Sequence, residues 1–464
     1  MLEETMPSQR IRPASLVVRG GPVLTFDPAG TVVRAMAVRD DRIVALGDVA
    51  LDHIGPETEV IDLSGRTVLP GINDSHLHAT WLGARWPDML IGGAGFTGGE
   101  EKTVRTAAER RAAILRAGDL CASLGITSYT EPGLGPGETG CFSAEVLEEY
   151  AVLASEGLLR ARVTALRLFG LLDGASSLED FRRGLATPTP PANRLWLTVP
   201  GVKIFADGIP PMRSAWTHHC YADGSHGALL VDGDDDPSRA GNLAAMIRLA
   251  HDAGMTVAVH ATGDRSIEAA LGSLRGGDHL VHGDLVTADQ LARMASSGVG
   301  LTTQPAIAVA MRGMLADALG AEAGAHAWPL AEMLASGVPL TLSSDAPVVT
   351  PDWRVHIAAA ARMLEASEVD AELMARLLRC YTVAAAEQDG AADWKGSLTV
   401  GRVADFCVLA ANPLEVGFAD LPDVGVELTV SGGRVVYSGE QLPAVDLEAH
   451  PGEMAGVGGG EEQD

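Results

Sequence analysis

The chain has 464 residues, 47% of them apolar, and a formal charge of −27 at pH 7. That length and apolar content allow a large buried core, exclude a disordered chain and suit one big catalytic domain with a smaller companion. The acidic surplus repels phosphate backbones and anionic membrane surfaces, and the scattered arginines form no basic patch, so neither nucleic acid nor a membrane is an expected partner.

Residues 1–13 include Glu3, Glu4, Arg10 and Arg12 without an apolar run of signal-peptide length. Nothing later approaches the roughly 18 apolar residues that a spanning helix needs. The expected location is the cytoplasm. Cys121, Cys141, Cys220, Cys380 and Cys407 lie far apart with no CxxC pair, which argues against a disulfide framework and against a thiolate zinc site.

Residues 15–68 read as short strands broken by turns: SLVVRGGPVLTFD, TVVRAMAVRDDRIVALGD and TEVIDLSGRTVLPG alternate β-branched with polar residues between Gly and Asp turn signals. The same texture returns in SLTVGRVADFCVLAANP and VELTVSGGRVVYSG near the C-terminus, so the two ends are expected to pair into one small β-sandwich. Between them come eight apolar, strand-like runs: GINDSH, GITSYTEP, RARVTALRLFG, TVPGVKIFADG, MTVAVHATGD, HLVHGDL, GVGLTTQPAI and VPLTLSSDAP. Helical segments such as TVRTAAERRAAILRAGDLCASL and NLAAMIRLAHDAG separate several of them, their apolar residues recurring at three and four. Eight β-then-α units in series read as a closed parallel (β/α)₈ barrel, an α/β fold. The expected division is residues 1–69 and 391–450 for the sandwich, 70–390 for the barrel and 451–464 for a disordered tail.

Barrel enzymes carry their reacting groups at the C-terminal ends of the strands. The first strand ends in Asp74-Ser75-His76-Leu77-His78, where a period of two puts both imidazoles on one face. The fourth ends in Val202-Lys203-Ile204-Phe205-Ala206-Asp207-Gly208, the fifth in Val259-His260, the sixth in Val281-His282-Gly283 and the eighth in Ser343-Ser344-Asp345-Ala346-Pro347. Neutral imidazoles and carboxylate oxygens are what a zinc-like ion takes, and an open position keeps a water whose pKa falls to about 7. A cationic lysine beside two ions is repelled unless its neutral amine has reacted with carbon dioxide to give an anionic, bridging carbamate, a reaction closed to arginine. Only Lys102, Lys203 and Lys395 are lysines among the 34 basic residues, so a lysine at a barrel-strand end stands out.

Blander readings stand beside these. A lone strand-end histidine is often simply packed or hydrogen-bonded; Lys203 has Asp207 four residues on as a candidate ion-pair partner, although its apolar neighbours argue against a surface position. Asp345 also suits a helix start. His279, three residues before His282, is expected on the opposite face, in a core or interhelical role. His53, His251, His326, His356 and His450 read as ordinary surface or core histidines. The loop over residues 210–221, with Trp216, His218, His219 and Cys220, either shapes a substrate pocket or is simply solvated. Trp81, Trp86 and Met89 suggest a hydrophobic substrate portion or burial against the barrel. Trp81, Trp216 and His218 are the candidate substrate contacts.

At Pro70-Gly71 leading into His76-x-His78, then Lys203, His260, His282 and Asp345 in that order, the sequence resembles the amidohydrolase superfamily over nearly its whole length. VKIFADG, HATGD and SSDAPV look like the YtcJ-like, or amidohydrolase 3, group. The chain departs from that group in a shorter stretch between HxH and the lysine and in Ile209-Pro210-Pro211 after the DG, which puts the substrate in question. It is also similar to hydrolases of phenylurea or thiocarbamate (molinate) herbicides. The resemblance implies two divalent ions, zinc first with cobalt or manganese as alternatives. His76, His78 and Asp345 would hold one and His260 and His282 the other, with carboxylated Lys203 and a hydroxide between, and Asp345 as the catalytic proton carrier. The rival is a mononuclear aminohydrolase of a heterocyclic ring using His76, His78, His260 and Asp345, with His282 as an acid and Lys203 unmodified. A second rival is a catalytically inactive member that keeps the fold for binding. The expected partner is a small-molecule substrate, and the expected assembly a homo-oligomer, dimer or tetramer.

Overall fold

The computed structural model describes residues 12–91 and 104–439. The expected tail at 451–464, His450 and Lys102 lie outside the described residues.

Five strands open the chain: β1 (Leu16–Leu24), β2 (Val32–Arg39), β3 (Arg42–Leu46), β4 (Glu59–Asp62) and β5 (Thr67–Pro70). Eight follow in the middle: β6 (Ile72–Asp74), β7 (Ile126–Leu134), β8 (Arg162–Leu168), β9 (Leu197–Phe205), β10 (Thr256–Ala261), β11 (His279–His282), β12 (Gly300–Thr303) and β13 (Leu340–Leu342). The last three are β14 (Phe406–Leu409), β15 (Val426–Ser431) and β16 (Arg434–Ser438). The outer groups join in one mixed sheet of order β16-β15-β14-β5-β1-β2-β3, with β4 also on β1. The junction between the two chain ends is the antiparallel pair β5 and β14, with Val68 opposite Val408. One face of this sheet buries Val18, Met36, Ile43, Val68, Phe406 and Val430 in a core of its own. This is the β-sandwich built from both ends of the chain.

The middle strands form a second sheet, β6 to β13 in chain order and parallel throughout. Every residue of β7, β8, β11, β12 and β13 is buried, which is why these runs read as continuous apolar text: a parallel sheet is covered on both faces. The ring is drawn together where β13 meets β6. The Asp345 N–H donates to the His76 carbonyl at 2.8 Å, the His78 N–H to the Ala346 carbonyl at 2.9 Å, and the Ser344 N–H to Asp74 Oδ1 at 3.1 Å. The architecture is a nearly closed (β/α)₈ barrel. Helices on its outside start at side-chain caps, as at Thr106 with Glu109 for Ala107–Ser123 and Thr287 with Gln290 for Ala288–Ser297.

Two features hold the barrel on the sandwich. The chain passes from β5 to β6 through Gly71, whose N–H donates to the Asp405 carbonyl at 2.9 Å and where a Cβ would stand 2.0 Å from Thr127 Oγ1, so only glycine fits. Arg162 of β8 forms a two-pronged ion pair with Asp405 at 2.6 and 2.9 Å, its guanidinium lying over the rings of Trp196 and Trp394. Among the described residues, no helix is long and apolar enough to cross a membrane.

Candidate metal centre

His76 and His78 follow β6, and Asp345 follows β13, so the backbone bonds that draw the barrel together also bring these three side chains to one point. His76 Nε2 and His78 Nε2 lie 3.3 and 3.4 Å from Asp345 Oδ1, and one ligand atom from each residue falls within 4.8 Å of the others. All three are buried. Asp345 has φ 56°, in the left-handed region that few non-glycine residues adopt, and it does not cap a helix: the next one, Trp353–Met363, is capped by Asp352.

The remaining three predicted residues join the same cluster. The His282 ring lies 4.4 Å from that of His260 and 5.5 Å from that of His76, and the His76 and His78 rings are 5.4 Å apart. Lys203 is 1% exposed, and its Nζ has no hydrogen-bond partner. Burial brings its amine down to about 7, an effect partly offset by Asp345 and Asp173. Burial likewise lowers His78 and His282 to about 4 and holds His76 and His260 well below the ordinary imidazole value, so all four rings are neutral at pH 7. Four neutral imidazoles, one carboxylate and a buried amine without a partner fit divalent cations, and the amine fits them only as its anionic carbamate.

Neighbouring groups select which nitrogen each ring presents. His282 Nδ1 lies 2.9 Å from Gln304 Oε1, and Gln304 Nε2 donates to Ser343 Oγ at 2.9 Å; with Nδ1 as donor, the His282 Nε2 lone pair is left for an ion. His260 differs: its Nε2 points at the Gly208 carbonyl at 3.5 Å, which frees Nδ1. Beside His78 stands Glu131, wholly buried within β7. Its Oε2 accepts from the Tyr150 hydroxyl at 2.9 Å and the Thr80 N–H at 3.0 Å, whereas its Oε1 has no hydrogen-bond partner and lies 3.9 Å from His78 Nδ1, which has none either. Burial raises the Glu131 carboxyl to about 7.

Sequence reasoning passed over Glu131, Gln304 and Asp74. Asp74 staples the ring: its Oδ1 accepts from the His76 and Ser344 amides at 3.2 and 3.1 Å. A carboxylate inside a strand of the barrel was the available signal for Glu131. Asp207 does not pair with Lys203; its oxygens accept from the amides of Trp216, Thr262 and Gly263 and from the Ser266 hydroxyl, tying the loop after β9 to that after β10. His279 requires a correction. It shares a register row with Ala258 and Lys203 and feels the Lys203 charge, so it lies on the ligands' side of the sheet, one layer below. Strand alternation would send His282 the other way; its φ of 77° turns it back to the cluster.

Of the candidate substrate contacts, Trp81 packs 6.1 Å from the His78 ring and 5.3 Å from that of Phe142. Trp216 is buried in the main core with Arg265 stacked at 4.0 Å. His218 is exposed and pairs with Asp264 at 2.8 Å. Its neighbours Thr217, His219 and Asp264 line a 720 Å³ cavity with Arg312, Trp328 and Glu332, which none of the six clustered residues borders. Four of the cysteines are buried; Cys220 is exposed.

Residues 91–437 match a family profile described as "Amidohydrolase family". The chain is 27% identical over 251 residues to the putative amidohydrolase YtcJ of Bacillus subtilis (strain 168), a match covering 51% of this chain and 46% of that protein. The chain thus spans about half the length of that relative. Among solved structures, an uncharacterized metal-dependent hydrolase from Pyrococcus horikoshii OT3 shares the fold at TM-score 0.68 and 20% identity, covering 87% of this chain and 99% of the other. A zinc-bound adenosine deaminase from Xanthomonas campestris does so at 0.62 and 18%, covering 94% and 96%.

Proposed function

The chain belongs to the amidohydrolase family, and we propose that it is a metal-dependent hydrolase cleaving an amide, urea or carbamoyl C–N bond in a small, N-substituted, partly hydrophobic molecule. The observation that carries the reading is Lys203: a buried amine without a hydrogen-bond partner, beside four neutral imidazoles and a carboxylate. His76, His78 and Asp345 would hold one ion, His260 and His282 a second, and carboxylated Lys203 would bridge them. Zinc is the first choice, with cobalt and manganese as alternatives. When bound, two such ions polarise a carbonyl and make water nucleophilic at neutral pH. The protein's own part is positional and protonic. Gln304 holds the His282 ring, Glu131 stands 3.9 Å from His78 Nδ1, and the Asp345 carboxylate takes the proton of the attacking water and returns it to the departing nitrogen, which otherwise leaves as a poor anion. The narrower expectation of a phenylurea or thiocarbamate substrate rests on motif resemblance alone.

His76, His78 and Asp345 are by themselves compact enough to hold one ion, which favours as second reading a mononuclear aminohydrolase acting on a heterocyclic amine. A panel of N-aryl formamides, phenylureas and ring amines separates the two. Zinc-loaded protein should hydrolyse members of the first two groups, lose that activity to a chelator and regain it with zinc. Ammonia release from ring amines alone would favour the second reading, and turnover indifferent to chelation would overturn both.

A further inference from the structure

The 720 Å³ cavity has no part in the proposed reaction, since none of the six clustered residues borders it. It lies among the loops after β9 and β11 and the helices Pro305–Leu319 and Leu330–Ala335. Small-molecule sites have volumes of about 300–1,000 Å³, so it has room for a ligand.

Its walls are partly apolar. Leu319, Leu330 and Met363 supply aliphatic surface, and Trp328 an aromatic ring. Trp328 is tightly held. Its backbone N–H and its indole N–H donate to the carbonyl and to Oδ1 of Asp284 at 2.7 and 2.8 Å, and its φ of 47° lies in the left-handed region that a bulky residue rarely adopts. A costly backbone conformation fixed by two hydrogen bonds at a cavity wall points to a functional surface.

The charged and basic groups on the cavity differ in what they already touch. Asp264 is taken by His218, whose N–H and Nδ1 lie 2.9 and 2.8 Å from its two oxygens. His219 Nε2 and His326 Nδ1 each meet a main-chain carbonyl, those of Leu319 and Glu322, at 3.1 and 3.0 Å. Arg312 and Glu332 are exposed, and among the described residues neither makes an ion pair or a side-chain hydrogen bond, with each other included. One free guanidinium and one free carboxylate therefore border the same ring-walled space. A ligand with a single charge pairs with one of them, and a ligand with both signs pairs with both.

We propose that this cavity is a second small-molecule site, separate from the metal centre, for an amphipathic zwitterion: an apolar, preferably aromatic, body against Trp328, a carboxylate on Arg312 and an ammonium on Glu332. An aromatic α-amino acid is the simplest molecule of that class. The proposal stands apart from the hydrolase reading, and its test needs no turnover. L-Phenylalanine, 3-phenylpropionate without the ammonium, phenethylamine without the carboxylate and glycine without the ring are each titrated into the full chain by ligand-observed NMR, before and after chelation of metal. L-Phenylalanine should bind about tenfold or more tighter than each of the other three. Arg312→Gln should cancel its advantage over phenethylamine, and Glu332→Gln its advantage over 3-phenylpropionate; both positions are exposed, so the fold should be kept. Chelation should leave the affinities unchanged. Equal binding of the four probes, no saturable binding of L-phenylalanine up to about 10 mM, or an advantage that survives both substitutions would overturn the proposal. Binding that disappears on chelation would overturn it too, by placing the amino acid on the metal centre.

Discussion

A buried amine held at about 7 makes Lys203 the residue on which the chemistry turns. The neutral amine adds carbon dioxide and the ammonium does not. Its neutral fraction is about one tenth at pH 6 and about nine tenths at pH 8. Uptake of a second metal equivalent in bicarbonate buffer should therefore climb as pH rises from 6 to 8. A flat profile in metal titrations monitored by calorimetry would contradict this. At Glu131 the expectation concerns ring orientation: Glu131→Gln should weaken metal binding by about 10- to 100-fold in competition with a chelating dye, because the acceptor opposite His78 Nδ1 loses its charge. Unchanged affinity in a variant of normal unfolding midpoint would remove Glu131 from the account. The donors at strand ends were legible because alternation and strand order suffice to place them on one rim. Gln304, Glu131 and the turn at His282 were not: they depend on contacts between different strands and on one backbone dihedral, and neither leaves a period in the text.

Between elements, one buried tie is Arg162 with Asp405, 3% and 7% exposed, joining a barrel strand to the sandwich. Asp405→Ala leaves a buried guanidinium without its counterion, which should cost about 3–5 kcal/mol in urea unfolding. A loss under about 1 kcal/mol would mean that the Trp196 and Trp394 faces compensate it. A comparable tie lies at the same end of the barrel, where Ser128 pairs in register with Arg162. Asp389 accepts from Asn73 Nδ2 at 2.7 Å and pairs with Lys395 at 2.5 Å, and Lys395 also donates to Ser128 Oγ at 2.6 Å. The strands were legible from their apolar runs and turn signals. These polar ties were not, because each joins residues far apart in the chain.

At the scale of the molecule, eight parallel strands taken in chain order deliver ligands from residue 76 to residue 345 to one place, which is what a (β/α)₈ barrel does and an open sheet of the same strands would not. Strand count and order were enough to read that architecture from the sequence. The closure was not readable, since it is made by backbone groups at Asp345 and His78 that any residue carries and by the Asp74 carboxylate accepting from the distant Ser344 amide. The central claim is a centre for two divalent ions that depends on Lys203. Its most direct test is metal content per chain, by elemental mass spectrometry on full-length protein purified without chelator, for the native chain and Lys203→Ala. The account predicts close to two ions in the native chain and a clear fall in the variant, with the fold retained. One ion in both would contradict the bridging role of Lys203, and a folded native protein that binds none would contradict the metal centre itself.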